Sequence, residues 1–327
     1  MSTKSPSSTY LGLLLGVLLL GTMLLLTGCL SNTLYTPQLH VYVVTHDNGV
    51  SIYTVPNVTG NANIAPGATL IGAATGLEDP HRITFDNNNN TYITNYDNNS
   101  VTIYSPGMSG NAAPVATISG SNTGLNGPSG IALDNHNNIY VANRDGNSIT
   151  VYAAGASGNA TPTATISGSN TGFNFPNGLA IGPGRTIYVG NENSNSIEEF
   201  AGNATGNVAP IATISGSNTL LDRPHDLTLD NSANIYVVNG NGNSVTIYSP
   251  STTGNVAPVA SISGSNTGLS NPNGIALDYS GDIYVGNGTS IAIFAPIPSG
   301  ASNVAPAVTI SGSNTGLTSP IHGIALY

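Results

Sequence analysis

From residue 39 onward the chain alternates short apolar runs with polar punctuation. Gly130 to Asp134 (GIALD), Asn138 to Asn143 (NIYVAN), Ser148 to Tyr152 (SITVY) and Pro162 to Ile166 (PTATI) form one unit of the pattern. Each run is rich in β-branched residues or tyrosine, and Asn, Gly, Asp and Pro clusters separate them. Such runs predict four strands joined by hairpins. No apolar 3.6-residue period follows residue 29, so no helix is predicted there.

The unit recurs. The string ISGSNTGL at Ile118 returns unchanged at Ile262 and Ile310, with close copies at Ile166, Ile214 and Ile71, so the period is 47 or 48 residues. A fixed period of this size marks a repeat architecture, and four strands per unit arranged radially make a propeller blade. Five units are complete between residue 71 and about residue 309. The sixth delivers only its first strand before Tyr327, and Val41–Val44, Val50–Tyr53 and Gly60–Leu70 supply the missing three. The prediction is an all-β, six-bladed propeller of four-stranded blades, with the last blade closed by N-terminal strands plus the C-terminal strand. Up-and-down strands place the crossing after the fourth strand (GSNTGL) and the second hairpin on one face, the top. The first hairpin and the GNxAP turn should emerge on the other.

The N-terminus departs from the pattern. Lys4 precedes a 16-residue apolar run, Leu11 to Leu26, which ends in Leu26-Thr27-Gly28-Cys29. This resembles the bacterial lipobox, which implies a signal peptide over 1–28, lipidation of Cys29 and a tether over 29–38 before the propeller at 39–327. A retained anchor, or a chance cysteine after a signal peptide, are the alternatives, although the run is short for a spanning helix. The expected location is the bacterial cell envelope, lipid-anchored, in the outer membrane if the organism has one. The chain has a single cysteine, so no disulfide is expected. Charged residues are only 6% of the chain and the net charge is −10. Without a basic patch to neutralise phosphates, nucleic-acid binding is excluded.

The units PSGIALDNHNNIYVANRDGNSITVY and PNGIALDYSGDIYVGNGTSIAIF resemble NHL repeats, and the resemblance covers 39–327. One departure is consistent: the residue ending the second strand, usually acidic in NHL repeats, is Asn at 95, 143, 191, 239 and 287. The resemblance implies the propeller fold but spans scaffolds, lyases and envelope proteins, so it does not choose a function.

Repeats supply an internal control, because a position shared by all blades is explained by the blade. One slot, two residues before the apolar start of each first strand, reads His81, Ser129, Asn177, His225, Asn273 and His322. The next slot holds Arg82 in blade one and Asp226 in blade four, and glycine elsewhere. First strands are innermost, so these residues are predicted to line the mouth of the central channel and bind a ligand. The top loops also hold Arg144, Arg223, Asp79 and Glu192. In the amidating-lyase branch of the NHL family, Pro-His pairs at comparable inner-strand starts bind zinc. Pro80-His81 and Pro224-His225 resemble them, which suggests a zinc ion held by His81, His225 and His322, with a lopsided blade spacing against it. No other cofactor is indicated and no catalytic residue is assigned. The sequence favours an envelope binding or scaffold module whose partner is an envelope protein, a peptide, a glycan or a small polar ligand. A metal-dependent lyase or hydrolase is the alternative. Asp86-Asn88-Asn90, Asp134-His136-Asn138 and Asp278-Ser280-Asp282 have the opening spacing of a calcium loop but lack its Gly and Glu, and Asx turns explain them better.

Overall fold

The computed structural model describes residues 38–55 and 58–327, so the expected signal peptide, Cys29 and all but the last tether residue lie outside the described residues. Gln38–Tyr327 forms one compact unit. It contains six sheets, each built on four antiparallel strands, with only two short 3-10 turns among the described residues. Blade one runs from Pro80 to Ile118, blade two from Pro128 to Ser167, blade three from Pro176 to Ser215, blade four from Pro224 to Ile262 and blade five from Pro272 to Ile310. Blade six pairs Ile321–Leu326 with His40–Thr45, followed by Gly49–Thr54 and Ala68–Ile71. The predicted closure is therefore observed, with Val43 opposite Ile324 and Val41 opposite Leu326.

The core lies between blades. Six apolar clusters are present, one for each gap. Between blades two and three, for example, Ile149 and Ile166 pack against Leu179, Val189 and Phe200. A middle strand is covered on both faces by neighbouring blades, so Ile139–Asn143 is buried at every position. That is why the second and third strands read as continuous apolar runs without hydrophobic–polar alternation.

The repeated string is a latch between blades. Its isoleucine ends the fourth strand, and the GN dipeptide of the following blade lies parallel to that strand: Ile118 bridges Gly158, Ile166 bridges Gly206, and Ile214 bridges Gly254. The asparagine of that dipeptide then accepts a bond from the crossing, as Asn255 Oδ1 does from Asn218 N at 2.7 Å and Asn207 Oδ1 does from Asn170 N at 2.7 Å. Gly216 has φ +115°, and a Cβ there would sit 2.5 Å from the Asn255 side chain, so the glycine is required twice over. The string's threonine caps the turn through Thr219 Oγ1 to Gly216 O at 2.7 Å. The expected position of the GNxAP segment is corrected here. It is not confined to the lower face but runs along the outer edge of the preceding blade and reaches its top crossing. The latch covers part of an otherwise open sheet edge.

The Asp-x-Asn segments are Asx turns. Asp86 Oδ1 accepts from the backbone N–H of Asn88 and of Asn90, both at 2.8 Å, and Asp134 repeats the arrangement. The Asn that ends each second strand is structural too. Asn239 Oδ1 accepts from Asp222 N at 3.1 Å, and its amide donates to Thr246 Oγ1 at 3.0 Å.

Blade three breaks this last pattern. Glu198 occupies the place of Thr102, Thr150 and Thr246, at 3% exposure, and neither its Oε2 nor the Asn191 amide nitrogen has a hydrogen-bond partner. Burial pushes the Glu198 carboxyl up to about 8, although Ser196 Oγ donates to it at 2.7 Å. A folded-state value above the unfolded one means that the native form binds the proton more tightly. Stability is then full below the ordinary glutamate range and falls as pH rises towards 8. Glu198→Thr should remove that slope and restore the Asn–Thr bond, raising stability at pH 8 by about 1–3 kcal/mol. Denaturant unfolding of both proteins at pH 5 and pH 8 checks it, and parallel curves for the two would contradict it.

Candidate functional site

The six inner strands converge so closely that backbone meets backbone at the second slot. A Cβ on Gly178 would lie 2.8 Å from the Asp226 Cα, and one on Gly323 would lie 2.5 Å from the His81 carbonyl oxygen. Only Arg82 and Asp226 bring side chains to this level. Arg82 is 4% exposed and spans the axis. Its Nη2 donates to His225 O at 2.7 Å, Asn273 O at 3.1 Å and Asn177 Oδ1 at 3.3 Å, and its Nη1 donates to His81 O and His322 O. Its Nε stands 3.3 Å from Asp226 Oδ2. Burial pushes the Asp226 carboxyl up, while the Arg82 charge and the N–H groups of Leu227 and Ile275 pull against it. One guanidinium thus ties five blades together and plugs the channel.

The plug divides the axis in two. Below it a channel of about 380 Å³ is lined by inner-strand residues such as Ile83, Ile131 and Leu227. Above it opens a polar cup of about 250 Å³, bounded by His81, Arg144, Asn177, Glu192, Arg223, His225, Asn273 and His322, with Arg82 as floor. The sequence-predicted ring therefore converges on one place. Ser129 belongs to it through hydrogen bonds to His81 Nδ1 (3.1 Å) and Asn177 Oδ1 (2.6 Å). Arg82 and Asp226 are brought together as a buried ion pair beneath the cup.

Two groups stand on the rim. In the first, Glu192 is buried at 1% exposure and bridges Arg144 Nε (2.9 Å) and Arg223 Nη2. Burial opposes its ionisation, but bonds from Arg144 and Arg223 outweigh this and hold it at about 2. Arg144 also lies over the Phe175 ring, 4.7 Å from its centroid. Asn177 Nδ2 donates to the same carboxylate at 3.1 Å, so the arginines, the carboxylate and the channel-mouth amide form one network. Two guanidiniums converge on the Glu192 carboxylate, and Asp145 Oδ1 stands 4.0 Å from Arg144 Nη1 on the outer side.

In the second group, Asp79 is surrounded by imidazoles. His46 Nδ1 donates to its Oδ1 at 2.7 Å, His322 Nδ1 stands 3.5 Å from the same oxygen, and His81 Nε2 stands 3.3 Å from Oδ2. His81 stacks on Tyr96 with ring centroids 4.7 Å apart, and meets His322 edge-on at 4.6 Å. Burial first, then the neighbouring His81, lowers His322 to about 3, and burial lowers His81 as well. Burial opposes ionisation of Asp79, but its histidine contacts reverse this and hold it at about 2.

His225 lies apart from that group, in blade four. Its Nδ1 donates to Pro272 O at 3.1 Å, burial lowers it to about 4, and Gly240 leaves the space its ring occupies. Among the described residues, the one set of donor atoms all within 4.8 Å of each other belongs to His46, Asp79 and His322. The three histidines of the shared slot are therefore not gathered into one ligand set.

Sequence reasoning missed His46, Tyr96 and Phe175. The signal was present in two other slots. The residue after each second strand reads His46, Tyr96, Arg144, Glu192, Gly240 and Gly288, and the residue before the proline reads Asp79, Gly127, Phe175, Arg223 and Asn271 in blades one to five. The four non-glycine members of the second slot all have positive φ, between 43° and 59°. The residue before proline favours extended backbone, so each blade accepts strain to hold this position over the cup.

Comparison with known proteins agrees with the architecture. The sequence matches the family described as "Lactonase, 7-bladed beta-propeller" over residues 36–220. No curated protein matches it. Similar solved structures include a protein of unknown function from Bacteroides caccae, with TM-score 0.63 and 9% identity, covering 88% of this chain and 98% of that one. A putative 6-phosphogluconolactonase from Bacteroides uniformis gives TM-score 0.56 and 18% identity over 80% of this chain and 79% of that one. A streptogramin B lyase gives TM-score 0.52 and 12% identity, covering 84% and 75%. At these identities the structures show a shared fold. More than half of the sequence lies within the family match, and the chain belongs to that lactonase family of propellers, with six blades where the family description counts seven.

Proposed function

We propose that the protein is a ligand-binding propeller of the bacterial cell envelope, with NHL-type repeats, that takes a small polar ligand bearing a carboxylate into the top cup. The observation that supports this most directly is the convergence of two guanidiniums, Arg144 and Arg223, on Glu192 at the cup's rim, above a floor sealed by Arg82. Asn177, Asn273 and His225 add neutral donors and acceptors at the same depth. A cavity of about 250 Å³ suits a metabolite or a single sugar acid better than a folded partner, since ligand pockets begin at roughly this size. Charge-assisted contacts with arginine would set orientation and specificity.

A second reading shares the cup. The family name brings lactone hydrolysis into view, and the pairing of His46 Nδ1 with Asp79 at 2.7 Å offers a general base at the rim. Opening a lactone with water yields a hydroxy acid, whose carboxylate the arginines would hold. Catalysis by a lyase or metal-dependent hydrolase with His81, His225 and His322 as zinc ligands has less support, because His225 is not in the donor group.

One panel tests both readings. Sugar acids, hydroxy acids and their lactones are screened by thermal shift and by chromatographic analysis of turnover. Under the binding reading, sugar acids and hydroxy acids should bind without being converted, and Arg223→Ala should weaken that binding about tenfold or more. Conversion of a lactone that is lost in His46→Ala would favour the hydrolase. No stabilisation by any anionic member would overturn the cup reading. Lipidation of Cys29 is tested separately. Cys29→Ser should abolish incorporation of a labelled fatty acid into the protein, and unchanged labelling would contradict a lipid anchor at this residue.

A further inference from the structure

The Asp79 group sits where the ring closes. His46 comes from the N-terminal strands, His322 from the C-terminal strand and Asp79 from the crossing into blade one. All three converge on one point, with the two Nδ1 atoms facing the same carboxylate oxygen. The His322 Nδ1 is buried and has no hydrogen-bond partner. The Asp79 backbone is held in place: Asn48 Oδ1 accepts from the Asp79 N–H at 2.7 Å, and Tyr96 N donates to the Asp79 carbonyl at 3.0 Å. His46 is fixed at its backbone by Pro320 O, at 3.2 Å.

We infer that His46, Asp79 and His322 form a binding site for one divalent transition-metal ion of the zinc class, which staples blade six to blade one. Two imidazole nitrogens and one carboxylate oxygen are the donor types zinc takes, at about 2.0–2.2 Å each. Atoms at that radius around a four-coordinate ion stand a little over 3 Å apart, and the observed separations of 2.7 and 3.5 Å bracket this. The ion would supply the partner that the buried His322 Nδ1 lacks. Hard cations such as calcium and magnesium prefer oxygen-only shells and fit the set poorly. Three protein donors leave a fourth position towards solvent, beside the 60% exposed His46 side chain. The ligand set differs from the one the shared histidine slot suggested, because His46 and Asp79 replace His81 and His225. An ion here would cross-link three chain segments, so binding it is linked to stability. The proposed ligands are distinct from the arginines proposed to hold an anion, although His322 also borders the cup.

The test uses full-length protein stripped with EDTA and titrated with zinc by calorimetry, with thermal unfolding followed in parallel. One equivalent should bind. A hundredfold excess over the dissociation constant should raise the midpoint by about 5 °C. His46→Ala, Asp79→Asn and His322→Asn should each weaken zinc binding at least roughly tenfold, the last using the residue that blades three and five carry in that slot. His225→Asn and His136→Ala should retain the full equivalent. Absence of a saturable equivalent, or equal loss in His225→Asn, would overturn the site. Retained binding in His46→Ala would do so as well, and because that residue is exposed the variant is not expected to unfold.

Discussion

A single guanidinium on the symmetry axis sets the geometry of everything above it. Six inner strands approach until glycine is the residue of most blades, and the remaining space is filled by Arg82 and Asp226. Arg82 satisfies carbonyl groups from blades one, four, five and six, which would otherwise face a narrow channel without donors. Burying one charge in this way is tolerable only because a carboxylate and several oriented dipoles meet it. The result is a rigid floor. Polar residues above it have a fixed base, and those below face a separate channel.

On that floor the rim becomes asymmetric. Blades six, one, two and three place His46, Tyr96, Arg144 and Glu192 after their second strands, whereas blades four and five place Gly240 and Gly288. One side of the cup is thus walled and the other is low. The hydrogen-bonded line His81–Ser129–Asn177–Glu192 joins the histidine group to the arginine group across three blades. Charge, hydrogen bonding and shape vary only where the scaffold permits variation, on loops presented by a repeated frame. The outer latch and the gaps between blades stay nearly invariant because every interface repeats the same packing.

The fold was legible because its causes are local and periodic. The 48-residue period, the turn residues and the truncated last unit specify blade number and closure without any long-range information. ISGSNTGL was read as a crossing, and its repetition does report blade geometry, though its glycine and serine-asparagine portion is explained only by the next blade's asparagine, which no reading of one unit reveals. The cup was half legible. The slot after the proline shows up as a departure from the repeat, and all six of its members line or border the mouth. The group around Asp79 was not, because His46 lies 276 residues from His322 and meets it only through closure. Nor could the sequence show that Arg82 turns inward: an arginine in a channel slot reads as a ligand contact until the distances show that it is spent on five blades.

The Arg82–Asp226 pair is a buried, coupled plug. A double-mutant cycle by denaturant unfolding tests it most directly, using the glycine that four blades carry at this slot. Arg82→Gly alone should cost about 3–5 kcal/mol, because it leaves the Asp226 charge buried without its partner. Arg82→Gly with Asp226→Gly should cost clearly less than the sum of the two single changes. Strict additivity, or an Arg82→Gly protein as stable as the parent, would contradict the account.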